Sequence, residues 1–235
     1  MKRIKLFIAG DSTAADYPDN EYPMAGWGQM LPHFLTDKVE VVDKAACGRS
    51  SKSFIAEGRL AEIDGLIGEG DYLFIQFGHN DQKPDERFTD PATTYPAYMT
   101  QYVEVARIRG AQPVLLSSVE RRHFDEAGNL QHTHGDYPEA ARKLAAKLGV
   151  PFIDLRIRTR ELYTALGPEK SKKLFVWLEP GEHPNYPDGA SDNTHFNVEG
   201  AWEVARLAAE EIAGSDLPLR QFVRDPDEVK RPHAQ

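Results

Sequence analysis

A chain of 235 residues is long enough to bury a full core in one sizeable domain. Its 40% hydrophobic and 28% charged residues are ordinary for a soluble globular protein. A net charge of −9 with no basic run opposes attraction to nucleic acid or an anionic membrane, and the single cysteine, Cys47, excludes an internal disulfide framework.

Lys2, Arg3 and Lys5 resemble the basic start of a signal peptide, but only Leu6 to Ala9 follow before Gly10 and Asp11. That apolar run is too short for a signal core, and nothing approaches a membrane-spanning length. With one cysteine, the expected location is the cytoplasm. Arg3 to Ala9 reads instead as a buried strand, ended by Gly10. Asp11, Ser12 and Thr13 then occupy the first strand-end loop, at the edge of an α/β sheet where ligands bind. Taken alone they read as a cap or turn. Ser12 becomes a candidate nucleophile only if a base reaches it.

Further along, Gly26 begins a short helix to about Leu35, and Val39 to Val42 is a second strand of buried, Val-rich type. The loop Asp43 to Arg49 follows. Helical segments over Ser50–Glu57 and Arg59–Ile67 are broken by Gly58. A third strand, Tyr72 to Phe77, runs into Gly78-His79-Asn80-Asp81. After a polar loop, Tyr95 to Arg109 is a helix, and Pro113 to Val119 a fourth strand. Glu120 to Gly135 is a polar excursion with a hairpin tip at residues 125–129.

Asp136, Pro138 and Glu139 open a helix whose apolar face is Ala141, Leu144, Ala145 and Leu148, and Gly149 stops it. Phe152 to Asp154 is a fifth strand, and Arg156 to Leu166 is helical. Leu174 to His195 reads as a long irregular loop, a class that is functional or disordered when it interrupts a compact domain. Asn197 caps a final helix to Ile212. Strands alternate with helices five times, which predicts a three-layer α/β sandwich on a parallel sheet. The expected organisation is a single domain over residues 1–214 and a polar, mobile tail over 215–235.

A base for Ser12 is offered by His195, with Asp192 three residues before it, a spacing that lets the carboxylate hold the ring Nδ1. An oxyanion needs donors. Gly48 offers an unobstructed backbone N–H and Asn80 a side-chain amide. Each of these residues has an ordinary turn or cap role in isolation. Their conjunction, on loops that a parallel sheet gathers at one edge, carries the inference.

Gly10-Asp11-Ser12, Gly48, Gly78-x-Asn80-Asp81 and Asp192-x-x-His195 resemble, in order, the four blocks of the SGNH (GDSL-type) hydrolases, end to end. The resemblance implies a flavodoxin-like α/β/α sandwich with a five-stranded parallel sheet. It also implies serine esterase chemistry without metal or cofactor, with Ser12, Asp192 and His195 catalytic and Ser12, Gly48 and Asn80 forming the oxyanion hole. The longer runs Gly48-Arg49-Ser50-Ser51-Lys52-Ser53-Phe54 and Gln76-Phe77-Gly78-His79-Asn80-Asp81 are similar to the rhamnogalacturonan acetylesterase branch, which deacetylates pectin fragments. The chain departs from that branch at Asp43 and Cys47, where Asn and Gly are common.

Other residues have two readings. Cys47 reads as a small packed residue, there being no histidine near it in sequence. His132 and His134 have metal-ligand types together with His123, but in a polar loop they read as solvated. Tyr17, Tyr22 and Trp27 suit either sugar stacking or packing. Arg49, His79, Arg121 and Arg122 are candidate substrate contacts, the arginines toward uronate carboxylates. The expected function is removal of O-acetyl groups from small acetylated oligosaccharides through an acetyl-enzyme. The alternatives are a lipid esterase or thioesterase on the same fold, and a non-catalytic carbohydrate-binding relative.

Overall fold

In β1 (Ile4–Gly10), Leu6 and Ile8 face one side of the sheet and Phe7 and Ala9 the other, and all four are fully buried. A strand buried on both faces needs helices on both. The computed structural model describes residues 3–231, so Lys2 of the basic start and residues 232–235 of the expected tail lie outside it. Five parallel strands form the sheet: β1, β2 (Val39–Asp43), β3 (Tyr72–Gln76), β4 (Gln112–Leu116) and β5 (Phe152–Ile153), in the order β2-β1-β3-β4-β5.

The helices α2 (Ser51–Ala56), α3 (Arg59–Asp64), α4 (Thr94–Ile108) and α5 (Tyr137–Leu148) pack with Phe7, Leu73, Ile75 and Leu115. On the opposite face, α1 (Trp27–Met30), α6 (Leu155–Lys170) and α7 (Val198–Gly214) pack with Leu6, Ile8, Phe74 and Val114. This is the expected three-layer, flavodoxin-like sandwich. The chain reverses its direction of travel across the sheet around β1, so the crevice outside the carboxyl ends of β1 and β3 is the topological switch point.

Two regions differ from the sequence reading. Leu174 to His195 is irregular only over 179–189: its two ends, β6 (Phe175–Leu178) and β7 (Ala190–Phe196), form an antiparallel pair with Phe175 opposite Phe196. Between Ala190 and the buried Phe196 the side chains of β7 are all polar, so the strand carries no apolar alternation, and its ladder to β6 stabilises it instead. Of the tail expected to be mobile, residues 217–224 are anchored. Leu217 and Leu219 are buried, Thr36 and Arg224 N–H donate to Phe222 and Phe34 carbonyls, and Val223 bridges Leu35. Among the described residues no helix is long and apolar enough to cross a membrane.

The departure at Asp43 has a physical signature. Its Oδ1 accepts from Ala45 N–H at 2.8 Å, while its buried Oδ2 has no partner among the described residues. A Cβ on Gly28 would fall 2.3 Å from that Oδ2, so α1 approaches β2 only because residue 28 is glycine. Burial, reinforced by the charge of Asp16, raises the Asp43 carboxyl well above the usual carboxylate range. A carboxyl raised on folding stays protonated while the unfolded chain ionises, so it lowers stability as pH climbs past about 4. Asp43→Asn keeps the Ala45 bond and removes that loss. Its thermal midpoint is expected to exceed the wild type's at neutral pH and to converge with it below about pH 4. Thermal unfolding across that pH range checks this, and a neutral-pH midpoint at or below wild type would contradict it.

Candidate active site

Ser12 follows β1 and is 7% exposed. Its loop is held from several sides. Asp11 Oδ1 accepts from Thr13 N–H at 3.0 Å and Thr13 Oγ1 at 2.8 Å, and Tyr17 Oη donates to Ser12 O at 2.8 Å. The start of α1 closes over it, with Trp27 and Gly28 N–H on the carbonyls of Thr13 and Ala14, each at 3.0 Å. Beneath, Trp27 Nε1 donates to Gln76 Oε1 at 2.7 Å and Gln76 Nε2 to Thr13 Oγ1 at 2.8 Å. Trp27 is therefore a packing residue, fully buried, whereas Tyr22 is 37% exposed.

The polar strand β7 delivers the partners. Asp192 Oδ1 accepts from the N–H groups of Thr194 and His195 at 2.6 and 2.9 Å, which folds the chain back on itself. Its Oδ2 then lies 2.7 Å from His195 Nδ1, and His195 Nε2 lies 2.9 Å from Ser12 Oγ. Burial raises the Asp192 carboxyl, but the His195 ring and the two backbone donors outweigh it and hold it below the usual range. Asp192 is anionic at neutral pH and fixes a proton on Nδ1, leaving Nε2 as acceptor toward the Ser12 hydroxyl. Ala25 N–H donates to Phe196 O at 3.0 Å, tying the end of β7 to the segment just before α1.

Asn80, after β3, points its Nδ2 at the Arg49 carbonyl, 3.1 Å away, which orients the amide and leaves its second N–H free of that bond. Neither the Ser12 nor the Gly48 N–H donates to a protein acceptor among the described residues. Ser12, Gly48, Asn80, Asp192 and His195 thus meet at the switch point. This arrangement has the parts of an acyl-transfer site: a hydroxyl, a base with its orienting carboxylate, and donors for an oxyanion.

The GDSL-like Lipase/Acylhydrolase family profile matches residues 8–202. The chain belongs to that family. It is 53% identical to the rhamnogalacturonan acetylesterase RhgT of Bacillus subtilis, over 94% of this chain and 95% of the other. It is 40% identical to the protein named "Probable rhamnogalacturonan acetylesterase YesY" of the same organism, over 93% and 96%. The solved structure of Bacillus subtilis YxiM superposes with a TM-score of 0.79 at 28% identity, over 92% of this chain and 58% of that one.

Within this GDSL-like site the expected substrate contacts need correction. Arg122 is only 6% exposed, and its guanidinium is spent on Asn193 Oδ1 (2.5 Å), Ser171 Oγ (3.1 Å) and the Pro168 carbonyl. Arg121 holds the Thr133 and His79 carbonyls at 3.3 and 3.1 Å. His79 is 3% exposed, with Nδ1 3.1 Å from Asp11 Oδ2, so it supports the Ser12 loop from behind. Arg49 binds Glu57 and the Cys47 carbonyl. The Arg121 and Arg122 guanidiniums are taken up by loop carbonyls and side chains, a demand that sequence spacing does not reveal, whereas Arg49, its side chain 36% exposed, is only partly engaged.

Three more readings change. Cys47 is exposed rather than packed, because the turn that presents Gly48 puts residue 47 on its outside. His134 is fully buried rather than solvated, edge-on to His79 with ring centroids 4.5 Å apart. His123 and His132 are exposed, and no three potential metal ligands cluster among the described residues. The sequence reading missed Gln76, Tyr17 and Asp11 as supports of Ser12. A glutamine at the end of an otherwise apolar buried strand was the available signal for Gln76.

Arg122 ties β7 to the end of α6. Arg122→Ala is expected to lower stability by about 1–3 kcal/mol, leaving buried acceptors unsatisfied. Activity should fall equally on neutral and uronate-bearing acetates, as read by denaturant unfolding and parallel kinetics. A KM increase confined to uronate substrates would restore Arg122 as a substrate contact.

Proposed function

We propose that this chain is a serine carbohydrate O-acetylesterase that releases acetate from acetylated rhamnogalacturonan oligosaccharides. The observation carrying this reading is the hydrogen-bonded series Ser12 Oγ–His195 Nε2, His195 Nδ1–Asp192 Oδ2, at 2.9 and 2.7 Å, beside unpaired N–H donors. The substrate class rests on the names of the relatives at 53% and 40% identity.

In this mechanism His195 Nε2 takes the hydroxyl proton as Ser12 Oγ bonds to the acetyl carbon. Negative charge moves to the carbonyl oxygen and is met by the N–H groups of Ser12 and Gly48 and the Asn80 amide. Collapse breaks the bond to the sugar oxygen, which leaves with the proton from His195. Water then gives its proton to His195 and attacks acetyl-Ser12, and acetate departs as the hydroxyl is restored. Asp192 holds the ring tautomer and stabilises the imidazolium throughout. No step calls on a metal or cofactor.

The aromatic residues near this site suit a sugar better than a long acyl chain. Tyr22 and His183 lie with ring centroids 5.4 Å apart, and Tyr186, whose hydroxyl donates to the Glu21 carbonyl, adds a further aromatic face. The lone cysteine fits a reducing compartment, and we place the enzyme in the cytoplasm, acting on oligosaccharides rather than intact polymer.

Acetate release from acetylated pectin, xylan and chitin oligosaccharides tests the substrate class, with pectin fragments expected to be preferred. Preference for a chromogenic octanoate over the acetate would favour a lipid esterase, and no turnover of either a non-catalytic relative. Ser12→Ala should abolish turnover and labelling by a serine-directed phosphonate while remaining folded; equal labelling would remove Ser12 as nucleophile. Asp192→Asn should lower kcat by up to ~10⁴ through the wrong tautomer. Asn80→Ala should lower kcat by ~10²–10³, about 2.7–4 kcal/mol, at nearly constant KM. A folded Asn80→Ala protein with wild-type kcat would remove that donor.

A further inference from the structure

We propose that Arg49 is a positioning residue whose guanidinium fixes the orientation of the Gly48 N–H, one of the expected oxyanion donors. The inference rests on the esterase reading above and adds to it the part that keeps the hole formed.

The four residues Ala46 to Arg49 make a turn closed by Arg49 N–H on the Ala46 carbonyl at 3.3 Å. Gly48, its third residue, has φ +78°, the positive angle of a type II turn. Turning the central peptide over converts such a turn to type I, and glycine tolerates both signs of φ. The central peptide here is Cys47–Gly48. It is trans, the one cis bond among the described residues being Tyr22–Pro23. Its carbonyl and its N–H therefore point in opposite directions. Whatever holds the Cys47 carbonyl also aims the Gly48 N–H. The reversed peptide would present a carbonyl where the N–H had been, repelling an oxyanion.

Arg49 Nη1 donates to that carbonyl at 2.7 Å. The guanidinium is itself fixed, with Nε 3.0 Å from both oxygens of Glu57, and Glu57 is held in turn by Arg59 Nε at 2.8 Å. The turn is pinned beside the nucleophile loop by Ala46 N–H on the Gly10 carbonyl at 3.0 Å. A cationic donor on Cys47 O also polarises the peptide and strengthens its N–H. The backbone of the same residue serves a second donor, because the Arg49 carbonyl accepts from Asn80 Nδ2. That bond survives a side-chain substitution, so replacing the guanidinium isolates the effect on Gly48.

The test is Arg49→Met, which keeps the apolar stem and removes the donor, measured on a neutral chromogenic acetate. The expected result is a kcat about tenfold lower, part of the ~10²–10³ that one oxyanion donor contributes. KM should stay within about twofold, and the rate of inactivation by a tetrahedral-mimic phosphonate should fall in parallel with kcat. Arg49→Lys, which retains a cationic donor, should fall between Met and wild type. A folded Arg49→Met protein with wild-type kcat overturns the proposal. So does a loss confined to KM for uronate-bearing oligosaccharides, which would make Arg49 a substrate contact. A kcat loss that merely tracks the folded fraction overturns it too, as does a Lys variant no better than Met. Wild type and Asn80→Ala run alongside separate the two levels. A wild type inactive on acetates defeats the esterase reading itself. An active wild type with an impaired Asn80→Ala and an unimpaired Arg49→Met defeats only the role of Arg49.

Discussion

The hydrogen bond between Ser12 Oγ and His195 Nε2 is the contact on which the rest of the site depends, because neither partner can be brought to it locally. Ser12 is presented by the end of β1, a strand buried on both faces, and His195 by β7, which is not part of the main sheet. A 2.9 Å bond between two such elements needs both to be rigid. The rigidity on one side comes from backbone bonds of α1 onto the loop that carries Ser12. On the other it comes from Asp192 folding its own strand, and from Arg122 and Trp177 both reaching Asn193 Oδ1.

Behind that contact runs a buried polar series. Asp11, held below the usual carboxylate range by His79 and Thr13 against the effect of burial, accepts from His79 Nδ1. Burial lowers His79, and burial together with His79 pushes His134 down to about 3, so both rings are neutral near pH 7. His134 Nδ1 in turn lies 3.3 Å from Glu120, a fully buried carboxylate that also faces Arg156 and Arg160. Buried charge is tolerated here because each carboxylate has several donors. The result is a stiff polar floor beneath the oxyanion side, where an apolar floor would leave the strand-end carbonyls unmet.

What could be read from the sequence was what is local. Ser12, Gly48 and Asn80 each sit one short loop after a strand, and Asp192 reaches His195 within three residues, so their conjunction could be read even though each alone could not. The sheet was readable because its strands are apolar on both faces. β7 was not, since its side chains between Ala190 and Phe196 are polar and its stability lies in main-chain pairing with Phe175–Leu178. Arg122 and His134 failed for a related reason. Burial of a polar side chain in a loop is decided by partners such as Asn193 and Glu120, distant in sequence and invisible to periodicity. Leu217 and Leu219 were hidden by the prolines and charges around them, although two leucines spaced two apart were enough to anchor the segment.

The order of the parts along the chain also governs when the protein becomes competent during synthesis. The last strand of the main sheet ends at Ile153, whereas His195 lies 183 residues after Ser12, whose hydroxyl it meets. Ribosomes add residues at roughly 5–20 per second, and domains gain structure as they emerge. The strands of the sheet are therefore all synthesised before His195 is added. Long-range closures of this kind are entropically costly and form late. A chain that ends before Asp192 lacks both the Asp192–His195 pair and the helix that covers Leu6 and Ile8, so the site and one face of the core close together, at the end of synthesis.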